Sequence, residues 1–296
     1  MIAIDLGSNT IRFLAATSGG EPLWEAQSVV RTAENLVHTG VIGSAAIARI
    51  AEAISGAKAS FDFAGHEIAA VATEAFRQAH NREAAIVTLR DQTGIEFRII
   101  SAKTEAHLTA NAVAKAAEQF GFSAPFIVID IGGASSEAVY FDSEAKRFVS
   151  LPIGIVTLFE RSLNAIETER FLEQELGALD DFVCAFGEFA QPKTVAATAG
   201  VPTTLAAIKL GLTFDRYDKK IVNGTQLTID EIDKLHARLR SLQKTELDLL
   251  TGKNRGDLIL CGAAILRHFI VRLGVEAIAV FDEGLREGVL QEALRA

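Results

Sequence analysis

An α/β fold made of two copies of one βββαβαβα unit is predicted for this chain by three features of its sequence. Short apolar, strand-like runs alternate with stretches of helical period across both halves. Each half opens on a meander of three strands, and each first strand runs into an Asp-x-Gly turn followed by small polar residues. A length of 296 residues suits two domains of ordinary size, each burying its own core.

In the first half, residues 2–5, 11–17 and 23–30 read as strands, with Gly19-Gly20 turning the chain between the last two. Ser44 is placed as the N-cap of a helix whose Ile47, Ile50, Ala51 and Ile54 share one face. A strand at 67–72 follows, then a helix capped by Asn81 that carries Ile86 and Leu89 and stops at Gly94. A strand at 95–100 and a helix at 104–120 complete the unit. In the second half, strands at 126–130, 136–141 and 147–151 precede a helical pattern over much of 156–190. After them come a strand at 193–198, a helix near Thr203, a capping box at Thr228-x-x-Glu231 and a long apolar helix at 257–273. A strand at 275–281 and a helix from Gly284 end the pattern. Domain I is placed at 1–120, completed by the last helix at 282–296, and domain II at 121–281; the hinge is expected near 116–125, where Gly121 and Pro125 punctuate the chain.

Composition removes several function classes. Apolar residues make up 49% of the chain, no segment is of low complexity, and an ordered globular protein is expected. A formal charge of −9 argues against nucleic-acid binding, because phosphate backbones recruit basic surfaces. The longest apolar runs fall short of the ~20 residues a membrane helix needs, and Asp5 interrupts the only place for a signal peptide, so a cytoplasmic protein without a membrane partner is expected. Cys184 and Cys261 are isolated and read as core thiols rather than zinc ligands or a disulfide.

The two Asp-x-Gly turns carry the chemistry. The segment from Ala3 through Asp5, Gly7, Ser8 and Asn9 to Thr10 is echoed by the segment from Val128 through Asp130, Gly132, Gly133, Ala134 and Ser135 to Ser136. Glycines permit a tight turn and close approach of the backbone, while hydroxyls and exposed amides can bind phosphate oxygens. Each aspartate can face a metal ion. One such turn after a strand is an ordinary hairpin; two on the first hairpins of repeated domains resemble the actin, sugar kinase and Hsp70-like fold of ribonuclease H-like domains, in which both loops clasp phosphate across an interdomain cleft.

More specific words follow in order along the chain: Ile4-Asp5-Leu6-Gly7-Ser8-Asn9-Thr10-Ile11-Arg12, Ala72-Thr73-Glu74-Ala75-Phe76-Arg77-Gln78-Ala79-His80-Asn81 and Ile99-Ile100-Ser101-Ala102-Lys103-Thr104-Glu105-Ala106. Further on stand Asp130-Ile131-Gly132-Gly133-Ala134-Ser135-Ser136-Glu137, Leu151-Pro152-Ile153-Gly154, Thr203-Thr204-Leu205-Ala206-Ala207 and Gly284-Leu285-Arg286-Glu287-Gly288. The series resembles the exopolyphosphatase and guanosine pentaphosphate phosphohydrolase (Ppx/GppA) family nearly end to end, in its short form without a C-terminal helical region. The resemblance implies release of the terminal phosphate of polyphosphate or of guanosine pentaphosphate, with a preference for short polymers and homodimerisation left open. It implies Glu105 as the residue that activates water and Arg77 as a phosphate-holding guanidinium. Gly7, Ser8, Asn9 and Thr10, with Gly132, Gly133, Ala134, Ser135 and Ser136, become phosphate ligands. Asp5, Asp130 and Glu137 become ligands of Mg²⁺, or of Mn²⁺ in its place. Arg12, Arg31 and Lys103 are lesser contributors to a local positive field, and Arg286 reads as structural. Ala102-Lys103-Thr104, Ala134, Val201-Pro202 and Phe281-Asp282-Glu283 depart from the family pattern; Ala134 would impair the second turn if its position required positive φ or a very close phosphate. A guanosine polyphosphate sensor and an ATP-dependent small-molecule kinase of the same fold remain the alternatives.

Overall fold

The computed structural model describes residues 1–161, 164–184, 192 and 194–295. The chain divides into two compact units: Met1–Ala112 with Leu285–Ala296, and Val113–Gly284.

The first unit begins with the meander β1 (Ile2–Leu6), β2 (Thr10–Ala16) and β3 (Pro22–Val29). Helices α1 (Leu36–Thr39) and α2 (Ser44–Ser60) lead to β4 (Ile68–Ala72). Helices α3 (Glu74–Gln78) and α4 (Arg82–Thr93) lead to β5 (Phe97–Ile99), and α5 (Ala102–Gln119) follows, with the unit boundary inside it. The sheet order is β3-β2-β1-β4-β5, with β1, β4 and β5 parallel. Leu6, Ala72 and Ile99 stand in one transverse line, so the chain leaves all three parallel strands at the same edge.

The second unit repeats the meander as β6 (Phe126–Ile131), β7 (Ser136–Asp142) and β8 (Glu144–Leu151). Helices α6 (Ile155–Glu160), α7 (Ala165–Glu175) and α8 (Ala178–Cys184) precede β9 (Thr194–Thr198) and α9 (Gly200–Lys209). Then come a 3₁₀ turn at Phe214–Arg216, α10 (Lys219–Val222), β10 (Thr225–Thr228), α11 (Ile229–Ser241), α12 (Lys244–Thr251), α13 (Gly256–Arg272) and β11 (Ala277–Val280). Here the order is β10-β11-β9-β6-β7-β8, the first unit's order with one strand added at an edge. The core of this unit centres on α13, whose Ile265, Leu266, Phe269 and Ile270 are wholly buried. The last helix, α14 (Leu285–Ala293), belongs to the first unit and packs Leu285, Val289 and Leu290 against Ala3, Leu14 and Val71.

Several local expectations are corrected. Gly43, not Ser44, is the N-cap of α2, and Ser44 is its first helical residue. Asn81 stands at the cap of α4 without capping it: its side chain donates to the Ile42 carbonyl at 3.0 Å and accepts from the Ile42 N–H at 2.9 Å, two bonds in place of one. Strand β10 was not foreseen, because four residues are too few to show alternation. Cys184 is exposed, since the buried positions of α8 are Leu179 and Phe182 on its other side. Cys261 is half-buried, and burial, then the nearby Asp257, pushes its thiol up to about 11. The capping box at Thr228 and Glu231 forms as expected, with bonds of 3.2 and 2.9 Å. Within the helical expectation at 156–190, residues 162–163 and 185–190 lie outside the described residues, as does Lys193 at the start of the expected strand. No described helix is long and apolar enough to cross a membrane.

Because Phe269 is sealed in the second core, Phe269→Ala should lower stability by about 3–5 kcal/mol, read by chemical denaturation. A loss below about 1 kcal/mol would show that α13 is not the centre of that core.

Candidate functional site

The end of the first sheet where β1, β4 and β5 finish gathers three segments: the turn after β1, helix α3 and the first turn of α5. Helix α3 is one turn long, which sets Glu74 and Arg77 three residues apart on adjoining positions. Arg77 Nε donates to Glu74 at 2.7 Å, and Nη1 donates to the Ile100 carbonyl at 3.0 Å and to Glu105 at 2.7 Å. Nη2 lies against Glu74 as an ion pair, outside hydrogen-bonding geometry and sealed from solvent. The side chains of Arg77, Glu74 and Glu105 are only 17%, 17% and 12% exposed. Burial opposes the guanidinium's charge, but the two carboxylates outweigh it and hold its pKa above the ordinary value. Glu105 is therefore a fixed carboxylate, and the two sequence-selected residues Glu105 and Arg77 touch one another.

The first turn closes with a bond from Gly7 N–H to the Thr10 carbonyl at 3.0 Å. Asp5 stands opposite Arg12 on the neighbouring strand, so both side chains leave one face of the sheet. Ser8 and Asn9 are buried; their carbonyls accept from Ala33 at 2.8 Å and from Val30 and Arg31 at 2.9 Å. The Asn9 side-chain oxygen has no hydrogen-bond partner among the described residues. An acceptor in that condition is suited to a hydrogen-bond donor or a cation.

The second turn closes identically, Gly132 N–H to the Ser135 carbonyl at 2.9 Å. Here the residue opposite Asp130 is Glu137, and the two carboxylates are cross-strand neighbours. Glu137 is 3% exposed and accepts from the Ser150 hydroxyl at 2.8 Å, so it is no surface residue. Among the described residues no group of three acidic, histidine or cysteine side chains is spaced to hold a metal. The Asp130–Glu137 pair nevertheless supplies two hard oxygen donors side by side, a set that suits Mg²⁺ when other oxygen ligands complete its shell. Ser136 is fully buried and donates its hydroxyl to the Ile153 carbonyl at 2.6 Å, bracing the hairpin. Ile155 and Val156 N–H groups bond the Gly132 and Gly133 carbonyls at 3.0 and 2.7 Å. Ala134 is not among the residues of positive φ, so its methyl group does not strain the turn.

Other selected residues lie elsewhere in role. Arg31 and Lys103 are exposed and Arg12 is half-buried. Arg286 is 8% exposed and engaged by Glu25 at 3.0 Å, the Phe13 carbonyl at 3.3 Å and Glu287, a structural set. Val201 and Pro202 are buried in the first turn of α9, and the Thr203 and Thr204 hydroxyls donate back to the Ala199 and Gly200 carbonyls at 2.8 and 2.5 Å.

Two features escaped the sequence reading. Glu74 was visible as a glutamate three residues before an arginine, but a five-residue helix has no periodicity to announce the pair. Gly154 lies so close to the second turn that an added Cβ would overlap the Gly133 carbonyl group, with Ala134 N at 2.6 Å. Its N–H bonds the Thr157 hydroxyl at 2.7 Å, which starts α6.

The model of the Ppx/GppA phosphatase family matches residues 15–296. Exopolyphosphatase 1 of Mycobacterium tuberculosis is 28% identical over 98% of this chain and 87% of that protein, and exopolyphosphatase 2 of the same species is 27% identical over 97% and 96%. Among solved structures, the Ppx/GppA family member of Aquifex aeolicus aligns with a TM-score of 0.77 at 27% identity, covering 99% of this chain and 97% of that one. An exopolyphosphatase from Cytophaga hutchinsonii shares the fold at a TM-score of 0.84 and 21% identity, covering 99% and 96%. The two mixed sheets thus have the two-domain, actin-like architecture of these structures, and with its sequence matched from the end of β2 onward the chain belongs to the Ppx/GppA phosphatase family.

Proposed function

We propose that this protein releases the terminal phosphate of inorganic polyphosphate by attack of a water molecule held by Glu105. The observation that carries the proposal is the 2.7 Å contact between Arg77 and Glu105, which fixes one carboxylate at the strand-exit edge of the first sheet. Hydrolysis of a phosphoanhydride needs a positioned water in line with the leaving oxygen and compensation of charge on the transferred group. Glu105 accepts a proton from the water as it attacks phosphorus. Arg77, with Glu74 on its other side, keeps the Glu105 carboxylate pointed at the water. The main-chain N–H groups and hydroxyls at Ser8, Asn9 and Thr10, and those at Gly133, Ala134 and Ser135, offer donors to phosphate oxygens, while the N–H groups of Gly7 and Gly132 close the two turns. Asp130 and Glu137 would hold Mg²⁺, with Asp5 a weaker candidate because Arg12 stands beside it. When bound, that ion neutralises charge on the phosphate oxygens.

Polyphosphate is preferred over guanosine pentaphosphate in this reading because the segment from Gly200 to Thr204 offers a nucleoside little: its apolar residues are buried and its hydroxyls are engaged within α9. The exopolyphosphatase names of the mycobacterial relatives point the same way.

The deciding experiment follows phosphate release in Mg²⁺ buffer from short polyphosphate and from guanosine pentaphosphate. Glu105→Gln should lower kcat by about 10²–10⁴-fold, and wild-type turnover in that variant would sink the assignment. Binding without release by the wild-type protein would favour the sensor instead. Arg77→Ala should lower kcat on the order of 10²-fold with little change in KM, as expected of a residue that aims the base. A rise in KM with kcat preserved would make Arg77 a phosphate ligand. Gly154→Ala, which pushes on the Gly133 carbonyl, should raise KM about tenfold through the second turn; an unchanged KM would remove that turn from substrate binding.

A further inference from the structure

We propose that α14 is a positioning element for the hydrolytic carboxylate, and that Gly288 is the residue through which it acts. The inference rests on the reading of Glu105 given above. Its starting point is the close approach of α14 to α5. A Cβ built on Gly288 would overlap the Leu108 carbonyl group, lying 2.6 Å from its carbon and 2.9 Å from Leu108 Cβ. The obstacle is main chain of another helix, so no side-chain rotation relieves it; α14 or α5 must move. Glycine at 288 therefore sets how closely the two helices seat.

What sits on the other side of that contact is the site. Leu108 and Glu105 are three residues apart, on adjoining positions of the first turns of α5. Leu108 shares one core cluster with Leu285, Val289 and Leu290 of α14, and with Ile100 and Val71 of the strand-exit edge. The Ile100 carbonyl in turn accepts from Arg77 at 3.0 Å, beside the Arg77–Glu105 bond. One apolar layer thus underlies both anchors of the Glu105–Arg77 pair, and α14 is its floor. Helix α14 is itself held in register by Arg286, which is buried and tied to Glu25 on β3 and to the Phe13 carbonyl on β2. A methyl group at 288 pushes on Leu108 and carries the first turn of α5 away from Arg77. Glu105 keeps its chemistry and loses its aim.

The test compares Gly288→Ala with Ile50→Ala, which empties a buried position of α2 in the same unit away from α14 and α5, and with Glu105→Gln. Two readouts are taken below the melting transition of each variant: steady-state release of phosphate from short polyphosphate, and the nitrogen-15 signal of the Arg77 guanidinium, assigned by its loss in Arg77→Lys. Gly288→Ala is expected to lower kcat about tenfold with KM within about twofold, and to shift the Arg77 signal. Ile50→Ala should lower the melting temperature while leaving kcat and the signal in place. Should Gly288→Ala not yield folded protein, Leu108→Ala, which removes the side chain that α5 shares with Leu285, Val289 and Leu290 of α14, replaces it with the same expectations. Equal kcat in the Gly288 and Ile50 variants overturns the proposal, as does lost activity with an unmoved Arg77 signal. Wild-type turnover in Glu105→Gln overturns the assignment of Glu105 and this proposal with it, and it is told apart because it requires no change at Gly288.

Discussion

Arg77 is a charge withdrawn from water, and a guanidinium in that position must find its counter-ions and acceptors in the protein. Glu74 and Glu105 provide the charge and the Ile100 carbonyl the remaining acceptor, so the stretches 74–77 and 100–105, distant in sequence from one another, are bound to one planar group. Helix α3 is held against the end of β4, the exit of β5 is fixed through its next carbonyl, and the first turn of α5 is fixed by its carboxylate. With two carboxylates around one cation, the set carries negative charge in excess. A polyanion gains little from approaching it, whereas a water molecule gains a strong acceptor. In the proposed reaction that balance leaves the set to aim the base, and the holding of phosphate is left to other groups.

The second turn shows how a loop of small residues is made rigid without side chains of its own. Its carbonyls at Gly132 and Gly133 are pinned by N–H groups of Ile155 and Val156, and Ser136 ties the hairpin to Ile153. The run Leu151-Pro152-Ile153-Gly154 is thus a clamp on the turn, and its glycine is the point of closest approach. Holding the carbonyls from behind fixes the direction of the turn's remaining amides, the preorganisation that the proposed phosphate binding would call for.

Much of this was legible in the sequence. The meanders were placed to within one to three residues, because their apolar runs end on glycine turns, and the duplication followed from the two Asp-x-Gly words. Legibility fails where information is tertiary or the element is short. Helix α3 and strand β10, of five and four residues, have no room for a period. Asn81 carries the composition of a cap, yet a loop 39 residues away offers it two bonds. Glu105 and Arg77 were selected separately, through family resemblance, and nothing in their spacing of 28 residues announces that they touch. Val201 looked like a departure from the family pattern; its burial against Gly262 makes it a packing residue of the second core.

The two copies of the hairpin keep one closing bond and differ in the neighbour of the aspartate: Arg12 faces Asp5, and Glu137 faces Asp130. That divergence bears on heredity. A gene-conversion event that overwrote the first hairpin with the second would set a second carboxylate beside Asp5 and leave two like charges side by side, and the reverse event would set a guanidinium beside Asp130 and cancel the charge of its pair. The halves share a backbone and are not interchangeable.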